Sequence, residues 1–300
     1  MSFVLDILQA TFRTSTPIVY ASVGDTYTQR AGMLNLGIEG MMFAGAFFGF
    51  LTAFHTGSLW LGLAAALGVG ILSAAVLGFL VVTLGTSQHV AGIGMTLLLI
   101  SVSEFTNRLV FGRPETLPKI DTFDVLSPLD FRIFHQYGMT YAALLALVPA
   151  AWWVLNRSSF GLRVRAVGEN PEAADVAGVN VFLVRYLALM VGGALAAVGG
   201  AFMTLAVLGS FTLDIIAGRG WVALAMVIFG RWQVGRAVLG ALIFAAVYSL
   251  QLRLRILPGW DAVPFELLLA LPYVVVIAAL AIAGRNAAYP GAYLRPYRRA

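Results

Sequence analysis

The stretch "AGMLNLGIEGMMFAGAFFGFLTAF", residues 31–54, decides what kind of protein this is. From Phe43 onward it is almost wholly apolar. Its first ten residues nevertheless carry three glycines (Gly32, Gly37, Gly40), an asparagine (Asn35) and a carboxylate (Glu39). No lysine or arginine occurs from Ala31 to Asn107. A broken helix leaves backbone N–H and C=O groups unpaired. In hydrocarbon each such group costs several kcal/mol, so a break has to be buried in protein or line a water-filled space. An ionised glutamate facing lipid is costly as well. Residues 32–40 are therefore expected to turn inward, toward a route through the protein or a subunit interface. Asn35 and Glu39, four residues apart, share a face if the helix runs through them. Gly37 and Gly40 let the backbone bend or a neighbouring helix come close. For Glu39 two roles stand side by side. One is direct contact with a transported solute. The other is structural, as an ion pair with Arg30 or as an acceptor of backbone bonds at a helix end.

The rest of the chain follows the same pattern. Of 300 residues, 60% are hydrophobic and 11% charged, and the mean hydropathy is +0.88. Soluble domains average about 25% charged residues. The solvent for most of this chain is lipid. The apolar runs are continuous and about twenty residues long, which reads as α-helices, since barrel strands alternate over about ten. Seven runs, at about 33–54, 59–84, 88–110, 138–156, 185–208, 236–252 and 264–284, are long enough to cross. Two weaker segments, 8–28 and 213–230, bring the expectation to an all-α, polytopic bundle of eight or nine transmembrane segments, some of them interrupted. No linker divides it, so residues 1–300 read as one membrane domain. The early "LNLGIEGMMFAGAFFG" and the late "TLDIIAGRGWVALAMVIFG" both set a glycine-interrupted polar stretch before an apolar helix. Paired interruptions of this kind point to a transporter's pathway.

Charge gives orientation. Arg157, Arg163, Arg165 and Arg185 lie in the 157–185 loop, Arg231 and Arg236 in a short turn, and Arg285, Arg295, Arg298 and Arg299 in the tail. All fall on one side if 213–230 crosses once, and that side is cytoplasmic by the positive-inside rule. The same parity puts the polar loop 111–137 outside, with Arg253 and Arg255 against the rule. The basic excess thus marks loops at a membrane and not a nucleic-acid partner. The N-terminal residues lack a basic region and a small-residue cleavage site, so no signal peptide is expected. With no cysteine, disulfides and thiolate metal sites are excluded, and three scattered histidines have no ligand spacing, so no metal and no cofactor is expected. The single lysine, Lys119, is preceded by "ETLP", so no phosphate-binding GxxxxGK[ST] loop exists. Any ATP hydrolysis must belong to another chain.

One cytoplasmic stretch looks built to be held. In "GLRVRAVGENPEAADVAGVNV", residues 161–181, Asn170 is a good helix N-cap and Pro171 suits the first helical position. Glu172 and Asp175 complement the helix dipole, Ala173 and Ala174 are small and apolar, and Gly178 can end the helix. So short a helix needs something to pack on. It rests on its own spans or docks a soluble partner.

These motifs together, with "QRAGMLNLGIEGMMFAGA" and "GRGWVALAMVIFGRW", resemble the permease subunits of bacterial ATP-binding-cassette importers for ribose-type sugars, nucleosides and branched-chain amino acids. The similarity is greatest to the shorter permease of the nucleoside and simple-sugar branch. The resemblance implies a pore made by this chain and a longer paralogue. It also implies two cytoplasmic ATPases, and a lipoprotein or periplasmic binding protein that delivers solute. Residues 170–178 match the family's coupling helix, and "LNLGIEG" matches its polar break near the start of a pathway helix. Two stretches depart from the pattern: "TSQHVAGIGMTLL", where His89 stands in place of another polar residue, and "SVGDTYTQR" at Asp25 and Thr26.

The expected function is alternating access in the inner membrane, carrying a nucleoside or simple sugar and catalysing no covalent chemistry. The expected pathway residues are Asn35, Gly37, Glu39, Gly40, His89 and Trp221. ATPase coupling falls to Asn170, Pro171, Glu172, Ala173, Ala174 and Asp175. The alternatives are branched-chain amino acids or another small polar solute, or an ion-driven carrier using Glu39, Glu104 or His89. No pair of spans offers the paired catalytic groups an intramembrane enzyme needs. Glu104 and Arg108 have the spacing of an ion pair. Arg219 and Trp221 read as interfacial anchors or as part of a half-helix. Gly192, Gly193, Gly199 and Gly200 mark close helix packing.

Overall fold

A computed structural model describes residues 2–112, 116–128, 132–254, 264–283 and 289–298. In chain order its helices are α1 (Ser2–Arg30), α2 (Ile38–Thr56), α3 (Leu59–Gly78) and α4 (Gln88–Phe111). After the loop come α5 (Gly138–Tyr141), α6 (Val148–Arg157), α7 (Ser159–Glu169) and α8 (Pro171–Val176). The last four are α9 (Val181–Phe202), α10 (Arg219–Phe229), α11 (Val234–Leu254) and α12 (Phe265–Ala283). Short π-helical turns prolong α3 over Phe79–Thr83 and α9 over Met203–Leu208, and join α5 to α6 over Ala142–Leu147. Two short strands, β1 (Val125–Leu126) and β2 (Gln136–Tyr137), pair antiparallel in the loop before α5. Among the described residues six helical stretches are long and apolar enough to cross a membrane. Arg219–Phe229 and Leu267–Ala278 are shorter apolar helices, and the weaker segment 8–28 lies within the helix α1. Arg255, Arg285 and Arg299 of the sequence reading, and part of the 111–137 loop, lie outside the described residues.

The weakest apolar segment turns out to be central. α1 packs on α9, α11 and α10, and its polar residues Ser15, Thr16, Ser22, Thr26 and Thr28 are fully buried. Each hydroxyl has a bond. Thr26 donates to the Ser22 carbonyl at 2.7 Å, Thr16 meets Thr140 at 3.0 Å and Thr28 donates to the Ala188 carbonyl at 3.2 Å. Tyr20 and Tyr27 donate to the Met139 and Ala151 carbonyls. α1 is polar because its solvent is other helices, whereas α4 and α6 turn a wide apolar face outward from the bundle. The glycines of α9 do mark close packing. A Cβ on Gly192 or Gly193 would run into Thr28 or the Gly70 backbone, and one on Gly200 into the Met42 backbone.

The arginine-bearing segments gather at one end of the bundle, the arginine end. There Arg30 Nε donates to the Trp232 carbonyl at 2.8 Å, and the tail pairs through Ala292 N–H with the Gly168 carbonyl at 2.8 Å. Arg185 Nη1 donates to the Arg295 carbonyl at 3.2 Å. At the distal end Arg13 donates to the His135 carbonyl at 2.7 Å, and Arg253 pairs with Asp6 at 3.4 Å. Arg253, one of the two charges against the positive-inside rule, is thus paired in place; the other, Arg255, lies outside the described residues. One element was not anticipated: α7 takes up eleven residues of what the sequence presents as the 157–185 loop, capped by the Ser158 hydroxyl accepting from Gly161 N–H.

Candidate translocation route and coupling face

Residues 31–37 are not helical. They leave the arginine end of α1 and climb the side of α4. Leu34 N–H donates to Gln88 Oε1 at 2.7 Å, and Thr96 Oγ1 donates to the Leu36 carbonyl at 2.8 Å. Eight residues of α4 separate those anchors, about 12 Å at 1.5 Å per residue. The run expected from residue 33 therefore becomes helical only at Ile38, well inside the bundle. Asn35 is buried, and its Oδ1 accepts from Gly37 N–H at 3.0 Å, a side-chain turn that fixes the break. Gly37 is the N-cap of α2. Gly40 lets α2 touch α4, since a Cβ there would sit 2.6 Å from Thr96 Cα.

A second chain segment descends to the same place from the opposite end. Gly209 is held at the distal end by Ile120 N–H, 2.8 Å from its carbonyl. Phe211 then packs edge-on against Phe43 and Phe47, with ring centroids 5.3 and 5.0 Å apart. Left-handed residues at Ala217 (φ 47) and Gly218 (φ 82) turn the chain into α10. The first N–H groups of α10 have no intrahelical partner. Glu39 supplies it: Oε1 accepts from Gly218 N–H at 2.8 Å and Oε2 from Gly220 N–H at 2.7 Å. Glu39 also lies in the first turn of α2. One buried carboxylate thus sits at two helix N-termini, where both dipoles favour a negative charge.

The two interrupted stretches noted in the sequence therefore meet. Of the structural roles open to Glu39, the backbone bonds are the one realised; Arg30 is engaged with Trp232 instead. Arg219 is not an interfacial anchor. It lies at the deep end of α10, where Nη1 donates to the Ile215 and Ile216 carbonyls at 3.0 and 2.9 Å. Trp221, two residues on, leaves 41% of its surface open. Below it on the same helix, Leu224 and Ile228 line an open cleft of about 670 Å³ with Leu34, Leu36, His89 and Tyr289. Of the six expected pathway residues, Asn35, Gly37, Glu39 and Gly40 are buried at the break, while His89 and Trp221 face open space. Glu104, half-buried, and Arg108, exposed, form an ion pair at 3.8 Å.

At the arginine end α8 follows its capping logic. Asn170 Oδ1 accepts from Ala173 N–H at 2.9 Å, Pro171 is the first residue, and Gly178 (φ 84) ends the turn. The helix is six residues long. Ala174 is buried on its near side, Asp175 is half-buried, and Glu172 and Ala173 are exposed with Val176, which is 91% exposed. A small apolar patch thus faces away from the bundle.

Residues 7–280 match the family model described as branched-chain amino acid transport system / permease component. The chain belongs to this permease family. Among its relatives is TsgC13 of Haloferax volcanii, provisionally named a glucose ABC transporter permease protein, 40% identical over 84% of this chain and 79% of its own. The guanosine ABC transporter permease protein NupQ of Bacillus subtilis is 30% identical over 91% of this chain and 90% of its own. The nucleoside ABC transporter permease protein NupC of Lactococcus lactis is 34% identical over 89% of each. The same three organisms each have a second, more distant permease, 24% or 25% identical, of which the match covers 74%, 81% and 69%.

Sequence reasoning missed one cluster of the permease. Trp232 Nε1 donates to Gln29 Oε1 at 2.8 Å, Gln29 Nε2 donates to Asp25 Oδ2 at 2.5 Å, and the Tyr293 hydroxyl approaches Gln29 Oε1 at 3.5 Å. Burial, together with Asp25 and Tyr289 nearby, pushes the Tyr293 phenol above its ordinary range and keeps it protonated. The cluster ties α1, the α10–α11 turn and the tail together. Its only sequence signal was the polar spacing of Asp25 and Gln29 in a membrane span.

Proposed function

We propose that this permease is one of two membrane-spanning subunits of an ATP-driven importer for nucleosides or simple sugars, seated in the inner membrane. A longer permease paralogue completes the pore. Two ATPase subunits bind the arginine end, which faces the cytoplasm, and an extracytoplasmic binding protein delivers solute at the distal end. ATP is hydrolysed in the separate ATPases. The observation that carries the reading is the meeting of two chain breaks at Glu39 inside the bundle. Non-helical backbone at that depth is tolerated only where protein buries it or a water-filled path runs beside it.

In this reading Asn35, Gly37, Glu39 and Gly40 build the wall of the route, and His89 and Trp221 face it. α8 is the coupling element: Asn170 and Pro171 start it, Ala174 seats it, and Glu172, Ala173 and Asp175 border the face offered to the ATPase. A nucleoside or sugar is neutral and rich in hydroxyls, in keeping with a route that has few fixed charges. Support for the substrate class comes from the names of NupQ, NupC and TsgC13. Support for the paired subunit comes from the second, less fully covered permease in the same organisms. The test is uptake of radiolabelled guanosine and glucose by proteoliposomes holding the whole complex, with ATP supplied and ion gradients collapsed. Sustained ATP-dependent uptake is expected. Uptake that stops without the gradient refutes the reading.

A further inference from the structure

The descending segment carries one carboxylate that the bundle does not use. Asp214 sits in a turn closed by Ile215 N–H on the Thr212 carbonyl at 3.2 Å. Phe211, Ile215 and Ile216 are buried and Gly218 is held by Glu39, while Leu213 and Ala217 are exposed beside it. Asp214 itself is exposed, and it has no hydrogen-bond or ion-pair partner among the described residues. Its depth follows from those anchors. Phe47, which receives Phe211, is 56 − 47 = 9 residues from Thr56, the distal end of α2, and Glu39 is 56 − 39 = 17 residues from it. At 1.5 Å per residue the segment lies about 14 to 26 Å below that end. An ionised carboxylate at such depth does not face hydrocarbon; it faces water or a polar ligand.

The surroundings narrow the ligand. Trp221, in the first turn of α10, is also exposed, and on the same helix Leu224 and Ile228 line the cleft at His89. The nearest guanidinium in sequence, Arg219, is committed to the Ile215 and Ile216 carbonyls. A carboxylate with two free oxygens accepts from two adjacent hydroxyls. An indole face stacks on a sugar ring or a base. An anion would be repelled. We propose that Asp214 and Trp221 form a substrate contact within the route, Asp214 accepting from a vicinal diol and Trp221 stacking on the ring beside it. This rests on the permease reading above and assigns it a recognition point for polyhydroxylated rings.

The test uses the whole complex in proteoliposomes with two probe pairs: guanosine with 2′,3′-dideoxyguanosine, and glucose with 2,4-dideoxyglucose, which has no two adjacent hydroxyls. Asp214→Asn is expected to lower uptake of the diol-bearing probe about tenfold, the size of a lost charge-assisted bond, and to leave uptake of its deoxygenated analogue at the wild-type level. Co-purification with the ATPases checks assembly. Because the chain has no cysteine, Asp214→Cys adds its only thiol. That thiol is expected to react with a charged methanethiosulfonate, and more slowly when the transported probe is present. An unreactive thiol, equal uptake by wild type and Asp214→Asn, or an equal deficit for both members of a pair overturns the assignment while the permease reading stands. A wild-type complex that carries neither pair overturns both.

Discussion

Glu39 offers the sharpest test of how the break is held. Its two carboxylate oxygens take the N–H groups of Gly218 and Gly220 at 2.8 and 2.7 Å. Hydrogen bonds to a charged group contribute about 1.5–3 kcal/mol each, and a partly buried charge at a helix N-terminus adds up to about 2 kcal/mol. Glu39→Gln keeps one acceptor and turns an NH₂ toward the second N–H. The loss of one bond and of the charge costs about 2–4 kcal/mol. Glu39→Ala leaves both donors buried and unpaired, at about 1–3 kcal/mol each. For a chain of this size about 2 °C accompanies each kcal/mol. Glu39→Gln should then lower the Tm of the purified complex by about 4–8 °C, and Glu39→Ala by at least as much. The measurement is intrinsic fluorescence during heating at one fixed scan rate. Glu104→Gln is the control, because Glu104 pairs with the exposed Arg108 and the pair contributes little. A Glu39→Ala complex that melts with wild type would refute the capping argument.

Three further outcomes are expected. Gly200→Ala forces a methyl into the Met42 backbone, so the yield of monodisperse complex should fall sharply. Gly68→Ala, whose Cβ meets nothing within 4 Å, should leave that yield unchanged or higher, as size-exclusion profiles will show. Glu172→Lys or Ala173→Trp should leave ATPase subunits bound and hydrolysing while uptake drops at least tenfold, since the exposed side of α8 bears the change and Ala174 still seats it; parallel ATPase and uptake measurements decide. Trp232→Phe removes the donor to Gln29 and leaves a buried acceptor short of one bond, which should cost about 1–3 kcal/mol and lower Tm by a few degrees in the same thermal assay.

What could be read from the sequence was local. The composite spans Leu59–Thr83, Gln88–Phe111, Gly138–Arg157 and Val234–Leu254 begin and end within about two residues of their apolar runs, because twenty apolar residues in lipid leave the backbone one way to satisfy itself. The α8 cap and its glycine stop were legible for the same reason: capping is a matter of five or six neighbouring residues. α1 read as doubtful because hydropathy scores contact with lipid, and α1 has little. The partner of Glu39 was not legible at all. It lies 179 residues away at Gly218, and a single sequence offers the carboxylate Arg30 and any nearby helix end on equal terms. Nor does hydropathy reveal that 210–218 descends as a non-helical chain, or that Asp214 within it stays open.

The position of Glu39 has a mechanical consequence. A continuous transmembrane helix resists local movement because every backbone bond is made within it. α10 is a rod of eleven residues that packs on α1, α11, α2 and α12 and carries hydrogen-bonded ties at both ends. Its upper end hangs from Glu39 and so from α2. Its lower end runs into Trp232, whose carbonyl is held by Arg30 and whose indole is held by Gln29, both on α1. The tail that touches Gln29 through Tyr293 also bonds Gly168 and Glu169 on α7, one residue from the cap of α8. Each of those links is a hydrogen bond between named groups, so a displacement of α8 has a short path to the lower end of α10. The two ends of the rod are tied to different helices. A movement of α1 against α2 would therefore pull on α10 from both ends, and on the face that carries Trp221, without breaking a spanning helix. An importer that opens alternately to each side needs an element of that kind, and the chain pins it at depth with a single carboxylate.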